Sequence, residues 1–437
     1  MILQNLYNEL PTVVSLGFNG LKRIRQTATA LARTGADWIL DGQPSTPVLM
    51  RRAFERLGAT YIKLGQLIAS SPSLFPEAYV KEFQRCLDQT EPVPFKEMKK
   101  ILEKELGKGY VSGIFTDIQP EPLASASIAQ VYAAKLTTGE DVVIKIQRPG
   151  VQDILKTDLN FLFYAATVLE YLVPGLKYAS LAGILSEIRR TVIEECNFIK
   201  EAENIKIFSA FLKQTGSRIV ITPRVYPHAS SRRVLTMERL YGVPLTDRKQ
   251  LFQVTDQPHR LLSAAFQTWL ESISKCPIFH ADLHAGNLLI LNNGKVGFID
   301  FGIVGSISDQ TQEGITLLIQ SLIINDHRNM AKAMAAIGMT SKKVNTGQLA
   351  KDLEELFLAP DQFIETTKFP PGPEQYLMEM VRIADVHGIC FPREFTLLLK
   401  QFLYFDSYGD LLFDMEFLME EMMEKMDDFE SPFNRLD

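Results

Sequence analysis

Three oxygen-bearing side chains, Asp282, Asn287 and Asp300, lie within one short stretch of the sequence. Residues 279–302 read FHADLHAGNLLILNNGKVGFIDFG, so Asn287 follows Asp282 by five positions and Asp300 follows Asn287 by thirteen. Phosphoryl transfer uses residues of these types, because one carboxylate orients the attacking oxygen while an asparagine and a second carboxylate hold magnesium on the nucleotide phosphates. The stretch therefore indicates phosphoryl-transfer chemistry.

This chemistry requires the residues between Asn287 and Asp300 to fold back on themselves. Two apolar runs, 288–291 and 296–299, flank an Asn-Gly pair, a pattern that predicts a β-hairpin with an Asn-Gly turn. Such a hairpin brings Asn287 at one end next to Asp300 at the other. We therefore expect the three oxygen-bearing side chains to converge at one edge of a small sheet.

A lone Asp-Phe-Gly, as at 300–302, is weak evidence, because a structural turn can produce the same three letters. The combination of His-x-Asp, an asparagine and then Asp-Phe-Gly at the spacing of protein kinases is much more specific. A site of this kind needs two further parts upstream. These are a lysine that reaches the nucleotide phosphates and a loop that covers them.

Residues 120–146 supply candidates for both parts, since their pattern predicts a β-hairpin with Lys145 near the end of its second main strand. The phosphate loop of protein kinases reads G-x-G-x-x-G-x-V. In this chain alanines occupy the three glycine positions, and Lys145 follows the valine, Val131, by fourteen residues. Alanine lets a backbone approach phosphates but does not readily adopt positive φ, so we expect a stiffer loop.

A glutamate must pair with Lys145 if the site is kinase-like, and Glu201 is the best candidate in the helical pattern before residue 210. The alternative is that Glu201 belongs to an acidic, solvated helix face. Residues 237–240 are similar to a kinase hinge, where backbone groups meet the adenine. The residues predicted to bind the nucleotide are Ala124, Ser125, Ala126, Ser127, Ile128, Ala129, Val131, Lys145, Met237, Glu238 and Leu240.

The composition suits a globular protein of two or three domains, with 437 residues of which 46% are hydrophobic. A net charge of −6 argues against general nucleic-acid binding. His280 and His284 are four positions apart, but they fall on a loop, so a zinc site is the less favoured interpretation. The cysteines are widely spaced, which indicates reduced thiols in a reducing compartment; they are Cys86, Cys196, Cys276 and Cys390.

The chain starts without a secretory signal pattern and contains no apolar run of about 18 residues, so we expect a cytoplasmic protein with no transmembrane segment. Residues 1–40 show helical periodicity with basic residues beside the apolar stripe. One interpretation is a helix on an anionic membrane, which would make the protein peripheral. The favoured interpretation is a helix packed against the body of the protein.

Five signals together resemble the UbiB/AarF family of atypical kinases, over roughly residues 45–410. They are Lys63-Leu-Gly-Gln66, the alanine-rich loop, Val143-Ile-Lys145, residues 195–201 and residues 280–302. The resemblance implies an α+β, bilobal protein-kinase-like fold with a helical N-terminal extension packed over the active site and a mainly helical C-terminal lobe. We divide the chain into an amphipathic segment (1–44), a helical extension (45–119), an N-lobe (120–240, with a helical insert at about 151–190), a C-lobe (241–430) and a tail (431–437).

The resemblance also implies a role for each candidate catalytic residue. Lys145 holds the α- and β-phosphates of ATP and pairs with Glu201. Asp282 is the catalytic aspartate. Asn287 and Asp300 bind Mg²⁺.

A regulatory lid is a further implication of the resemblance. The helix with Lys63 and Gln66 would fold over the active site, with Glu195 nearby. This chain departs from the family pattern at Asn197, where an acid is usual, and in lacking the C-terminal transmembrane segments of some members. Membrane association would then be peripheral.

The family acts in prenylquinone and related isoprenoid lipid metabolism and shows ATPase activity more readily than protein phosphorylation. After Gly302 no Ala-Pro-Glu follows, so the segment on which protein substrates dock is missing. We therefore expect an ATP-dependent enzyme whose partners are ATP and prenyl lipid or quinone-biosynthesis components at a membrane surface. The alternatives are a nucleotide-binding scaffold of a biosynthetic complex and a true protein kinase.

Overall fold

The computed structural model describes residues 44–58, 60–62, 64–65, 77–83, 92–172, 192–245, 247–340, 344–359 and 373–407, and a few isolated positions before and between them. The helices are α1 (Thr46–Leu57), α2 (Glu77–Phe83), α3 (Phe95–Leu106), α4 (Lys108–Ile114), α5 (Val151–Leu172), α6 (Phe198–Gln214), α7 (Arg248–Val254), α8 (Pro258–Lys275), α9 (Asp309–Ile323), α10 (His327–Ile337), α11 (Thr346–Leu358), α12 (Pro373–Val386) and α13 (Arg393–Ser407). The strands are β1 (Phe115–Ser125), β2 (Ala129–Leu136), β3 (Asp141–Gln147), β4 (Val220–Ile221), β5 (Val234–Glu238), β6 (Gly242–Pro244), β7 (Phe279–His280), β8 (Leu288–Leu291), β9 (Val296–Phe298), β10 (Val304–Gly305), β11 (Met339–Thr340) and β12 (Ile389–Cys390).

The chain forms two compact units. The first consists of Met1–Lys200 with Val225–Arg239, and the second of Glu201–Arg224 with Leu240–Asp437. The chain enters the second unit for the last time between Arg239 and Leu240. This point lies within segment 237–240, which the sequence predicts to be similar to a kinase hinge. None of the helices in the described part of the chain is both long and apolar enough to cross a membrane.

The first unit is built on an antiparallel sheet with the strand order β1-β2-β3-β5. Alternate residues of β3, Val142, Ile144 and Ile146, are buried on one face, as the period of a strand requires. Helix α3 packs Met98 and Leu102 against this face, because residues four apart lie on the same side of a helix. Lys145 lies between two of the buried residues and so belongs to the other face of the sheet.

A second core cluster of the first unit joins three parts of the chain. Leu64 packs in this cluster with Ile128 of the alanine-rich loop and with Leu155 of α5. A hydrogen bond of 2.7 Å from the Thr60 hydroxyl to the Asp158 carboxylate, both buried, ties the residues before Leu64 to the same helix. Thr60 and Leu64 therefore attach the described residues of 60–65 to α5 and to the alanine-rich loop.

The pair Thr46-Pro47 in the sequence predicts a helix with Thr46 as its N-cap. In the structure, the cap of helix α1 lies one residue earlier. Its N-cap is Ser45, which has extended backbone angles, while Thr46 is already helical and Pro47 follows in the first turn. Proline is well placed there, because the first turn of a helix does not need its missing N–H. The sequence also predicts a helix over residues 95–106, and α3 covers the same residues.

The second unit contains a small sheet with the order β4-β9-β8-β6, in which β4 and β9 are parallel. Helix α13 packs against α8 through aromatic rings: Phe402 lies 5.3 Å from Trp269, and Phe405 lies 4.8 Å from Phe266, between ring centroids. Trp269 is fully buried and donates a 2.9 Å hydrogen bond from Nε1 to the His280 carbonyl. These contacts pack α8 against α13 and attach α8 to the end of β7.

Candidate active site

The hairpin β8–β9 brings Asn287 close to Asp300, as the sequence predicts. Leu288 pairs with Phe298, and the Ile299 N–H donates a 3.1 Å hydrogen bond to the Asn287 carbonyl. The turn residues are 292–294, with positive φ at Gly294, which is the usual geometry of a three-residue hairpin loop. Backbone pairing therefore fixes Asn287 opposite the residue that precedes Asp300.

The Asn287 side chain is tied to the Asp282 backbone. Its Nδ2 donates a 2.8 Å hydrogen bond to the Asp282 carbonyl, and its own N–H donates to the His284 carbonyl at 2.8 Å. Asn287 is only 6% exposed, so this amide has a restricted orientation. Because its nitrogen is used, the amide oxygen is the atom that could bind a cation.

Asp300 adopts an uncommon backbone conformation, with φ at +60°. Aspartate tolerates this left-handed region better than most residues, and such conformations are concentrated at functional sites. The Asp300 Oδ1 accepts a hydrogen bond of 3.3 Å from the Gly302 N–H, which orients the carboxylate. With the Asn287 amide oxygen, the site offers hard oxygen donors of the kind that Mg²⁺ prefers.

His280 is a neutral structural link between the two halves of this site. It is fully buried, and burial lowers the pKa of its imidazole to about 4 in spite of opposing contacts with Ile299 and Asp282. Nδ1 accepts a 3.1 Å hydrogen bond from the Asp282 N–H, so the ring proton is on Nε2, which donates to the Ile299 carbonyl at 3.1 Å. His280 thereby holds Asp282 and the end of β9 in register. His284 uses its Nδ1 locally, accepting from the Gly286 N–H.

Two residues of α13 that the sequence patterns do not reveal contact the same loop. Lys400 Nζ lies 2.9 Å from Asp282 Oδ1. Gln401 accepts a 2.7 Å hydrogen bond from the Leu283 N–H and donates one of 2.8 Å to the Ala281 carbonyl. Burial alone would lower the pKa of the Lys400 ammonium, but the Asp282 charge and the contact with Tyr404 raise it above its ordinary value. The lysine therefore keeps its charge beside Asp282.

In the first unit, the alanine-rich loop is closed by Arg148. The arginine donates hydrogen bonds of 2.7 Å from Nε to the Ala126 carbonyl and 2.8 Å from Nη2 to the Ser125 hydroxyl. Its backbone N–H donates to the Ile128 carbonyl at 2.8 Å. The loop alanines all have negative φ, which is what alanine favours. Arg148 follows Lys145 by three residues, but no motif used above marks it.

Lys145 lies on β3 opposite Val131 of β2, as the sequence pattern requires. Its ammonium is 5.3 Å from the centroid of the Phe198 ring, a cation–π distance. Glu201 is 2% exposed. The pairing of Lys145 with Glu201 stays a prediction.

Met237 and Glu238 end β5, where they pair with Val143 and Val142 of β3. Leu240 is the first residue after the passage into the second unit. The contribution of these residues and of the loop to nucleotide binding stays a prediction.

Lys63 and Gln66 lie outside the described residues, as does most of the basic helical stretch expected over residues 1–40. Glu195 is half-buried and follows Val192, which belongs to the same cluster as Leu64 and Ile128. The lid role of these residues stays a prediction. Of the four cysteines, Cys196, Cys276 and Cys390 are free thiols, while Cys86 is not among the described residues.

Residues 85–334 match the ABC1 atypical kinase-like domain. An uncharacterized chloroplastic aarF domain-containing protein kinase of Arabidopsis thaliana is 42% identical over 439 residues, covering 92% of this chain and 81% of the relative. A probable protein kinase UbiB of Pseudomonas fluorescens is 32% identical and covers 83% of this chain and 68% of the relative.

Among solved structures, a Mycobacterium tuberculosis protein in complex with erythromycin aligns with a TM-score of 0.51 at 22% identity, over 80% of this chain and 90% of that one. At this identity the similarity concerns the fold alone. Together with the domain match, it establishes a mixed α/β, kinase-like fold with a high helical content.

Proposed function

Since this chain belongs to the ABC1 family of atypical kinase-like proteins, we propose that it binds magnesium–ATP and transfers or hydrolyses the terminal phosphoryl group. The family assignment confirms the resemblance to UbiB/AarF proteins seen in the sequence. Which reaction the chain performs, and on which acceptor, is part of the proposal. The second unit carries most of the residues on which it rests.

One observation carries the proposal: hydrogen bonds join Asn287 both to Asp282 and to Ile299. Its side chain holds the Asp282 carbonyl at 2.8 Å, and its carbonyl accepts from Ile299 at 3.1 Å. The carboxylate that orients a nucleophile and the two oxygen ligands for a cation are therefore held together by the protein's own hydrogen bonds. Such preorganisation lowers a reaction barrier because little reorganisation is left for the transition state.

In the proposed reaction, Asp282 accepts a hydrogen bond from an attacking water or hydroxyl and takes its proton. The attacking oxygen forms a bond to the γ-phosphorus of ATP as the bond from that phosphorus to the bridging oxygen of ADP breaks. Asn287 and Asp300 would hold Mg²⁺. When bound, the cation neutralises charge on the phosphates.

Lys145, with Glu201 as its partner, is assigned to the α- and β-phosphates. The alanine-rich loop covers them, and Arg148 supports this assignment by fixing the Ala126 carbonyl at 2.7 Å. A loop held in this way would bind nucleotide with little loss of conformational entropy. We expect it to be more rigid than a glycine-rich loop.

We assign the acceptor to water or to a small or lipid-linked hydroxyl compound of prenylquinone metabolism, encountered at a membrane surface. Two features support this assignment. The sequence after Gly302 lacks the Ala-Pro-Glu segment on which protein substrates dock. The family resemblance also points to isoprenoid lipids.

A lid formed by Lys63, Gln66 and Glu195 would exclude protein hydroxyls from the site. The packing of Leu64 against Ile128 supports this proposal, because it anchors the lid helix to the phosphate loop. Lys63→Ala should change the affinity for ATP and leave the unfolding midpoint unchanged. Efficient phosphorylation of generic peptides by the unmodified protein, with no effect of Lys63→Ala, would rule the lid out.

Phosphate release from ATP, measured with and without vesicles of anionic phospholipid, tests the proposed function. Asp300→Asn should reduce release by about 100-fold or more, because an amide cannot offset the charge of the cation. Asp256→Asn makes the same chemical change at an exposed position of the second unit and should have no effect. Unchanged release and unchanged nucleotide-dependent thermal stabilisation in Asp300→Asn would overturn the assignment. Stabilisation of the unmodified protein by magnesium–ATP with formation of neither phosphate nor ADP in either condition would instead indicate a scaffold.

A further inference from the structure

Two consecutive residues of α13, Lys400 and Gln401, make three polar contacts with the loop that carries Asp282. Lys400 contacts the Asp282 carboxylate at 2.9 Å. Gln401 contacts the residue before it, through the Ala281 carbonyl at 2.8 Å, and the residue after it, through the Leu283 N–H at 2.7 Å. The side chain and both flanking peptide groups of Asp282 are therefore fixed by one helix.

These contacts lie in a largely buried environment, where polar groups must be paired. Gln401 is fully buried, so the loss of either of its hydrogen bonds would leave a loop group desolvated and unpaired. The Lys400 and Asp282 side chains are 15% and 22% exposed. Removing Lys400 would therefore weaken the compensation of the Asp282 charge.

The position of Lys400 is itself supported from its own helix. Its ammonium lies 5.3 Å from the centroid of the Tyr404 ring, one helical turn further along α13. The aromatic packing of Phe402 and Phe405 against α8 also holds α13 in place. Lys400 is thus presented to Asp282 by a rigid element.

We propose that Lys400 is a positioning residue for the reaction, which holds the Asp282 carboxylate through Oδ1 in the one orientation that aligns the attacking oxygen. The inference rests on the proposed function, because it assigns Asp282 to the nucleophile. Lys400 acts through Asp282 and not by direct contact with the substrate. Its charge also balances that of a carboxylate held close to the phosphates of ATP.

This role predicts a particular kinetic signature for Lys400→Met, which keeps the length of the side chain and removes the charge. The turnover number should fall by roughly 10- to 100-fold, as expected when a reacting group loses its alignment. KM for ATP should change by less than about three-fold, because Lys400 does not bind the nucleotide. Lys400→Arg, which retains the positive charge, should recover part of the lost turnover.

A double-variant cycle with Asp282→Asn separates positioning from a purely structural role. If Lys400 acts through Asp282, adding Lys400→Met to Asp282→Asn should lower the residual turnover by less than about three-fold. The double variant also lacks the carboxylate that Lys400 contacts, so the comparison does not depend on the stability of Lys400→Met alone. The matched control is Lys275→Met, since Lys275 pairs with Glu271 at 2.7 Å on an exposed helix face and should retain full turnover.

Two outcomes would overturn the positioning role while leaving the proposed function intact. One is unchanged turnover in Lys400→Met. The other is that Lys400→Met lowers turnover by the same factor in the unmodified protein and in Asp282→Asn. An absence of ATP turnover in the unmodified protein would overturn the proposed function and this role with it. Urea unfolding of each variant shows whether a loss of activity reflects a loss of folded protein.

Discussion

Arg148 donates a hydrogen bond of 2.7 Å from Nε to the backbone carbonyl of Ala126, the middle alanine of the phosphate-loop sequence. A second hydrogen bond, from Nη2 to the Ser125 hydroxyl, joins the same guanidinium to the loop at another point. The fork geometry of a guanidinium suits such paired contacts, and a lysine cannot reproduce it. A side chain outside the loop therefore adds to the stiffness that its alanines already provide.

Replacing Arg148 should weaken nucleotide binding. We expect Arg148→Lys to raise KM for ATP by roughly five- to twenty-fold. The loop would lose its paired hydrogen bonds to the guanidinium and would be more mobile before the nucleotide binds. The turnover number at saturating ATP should change little. Titration of ATP in the phosphate-release assay measures both constants.

The control for Arg148 is Arg232→Lys, at an exposed position of the same unit. It should behave as the unmodified protein does. A lower turnover number with an unchanged KM in Arg148→Lys would contradict the role given to this residue in loop support.

Asn287→Asp is expected to abolish turnover even though a carboxylate is also a suitable ligand for the cation. The new carboxylate cannot donate the hydrogen bond that the Asn287 amide makes to the Asp282 carbonyl, and it would place a negative charge beside that oxygen. Displacement of a catalytic group by about 1 Å can reduce the rate 100-fold. Steady-state phosphate release is measured for the variant and the unmodified protein. Full activity in Asn287→Asp would show that the hydrogen bond from Asn287 to the Asp282 carbonyl is dispensable.

His280 should make the stability of the second unit depend on pH. Burial lowers the pKa of this imidazole to about 4, whereas in the unfolded chain it is close to 6.5. The unfolded state therefore binds more protons between these values. The contribution of His280 is fully present above about pH 6.5 and is lost as the pH falls towards 4, by up to ~1.4 kcal/mol per pH unit.

The comparison with His280→Gln isolates this effect, because glutamine can donate and accept hydrogen bonds but does not titrate. We expect the stability advantage of the unmodified protein over the variant, measured by urea unfolding, to shrink between about pH 6.5 and pH 5. Other titrating groups cancel in the difference. An advantage that is constant over this range would mean that His280 is not buried in its neutral form.

The buried hydrogen bond between Thr60 and Asp158 should stabilise the first unit. Thr60→Val keeps the shape of the side chain and removes the hydroxyl that donates to the carboxylate at 2.7 Å. A hydrogen bond to a charged group contributes roughly 1.5–3 kcal/mol, so the free energy of unfolding should fall by about that amount.

Urea unfolding measures this change, with Thr116→Val as the control. The Thr116 hydroxyl makes a 3.2 Å hydrogen bond on the exposed surface, where water can replace it. Its loss should cost less than about 0.5 kcal/mol. Equal destabilisation by both substitutions would argue against a special contribution of the Thr60–Asp158 bond.

The sequence by itself determined those parts of the site that depend on neighbours along the chain. The β8–β9 hairpin follows from two apolar runs and Gly294, and its pairing fixes Asn287 beside Ile299 through local backbone hydrogen bonds. Lys145 opposite Val131 follows in the same way from the pairing of adjacent strands. Hairpin register is set by turn length and side-chain alternation, so spacing alone is sufficient to predict it.

Only the tertiary structure decided which side chains that are distant in the sequence meet. Lys400 meets Asp282 across 118 positions, and Thr60 meets Asp158 across 98. Neither contact can be predicted from the spacing of residues in the sequence, because each depends on how helices pack. Lys400 reaches its partner because the aromatic residues of α13 pack against α8, and many lysines on amphipathic helices share its local pattern without facing a carboxylate. A periodic pattern specifies which face of a helix is buried, whereas the groups that meet there are specified by the complementary shape of the packed core.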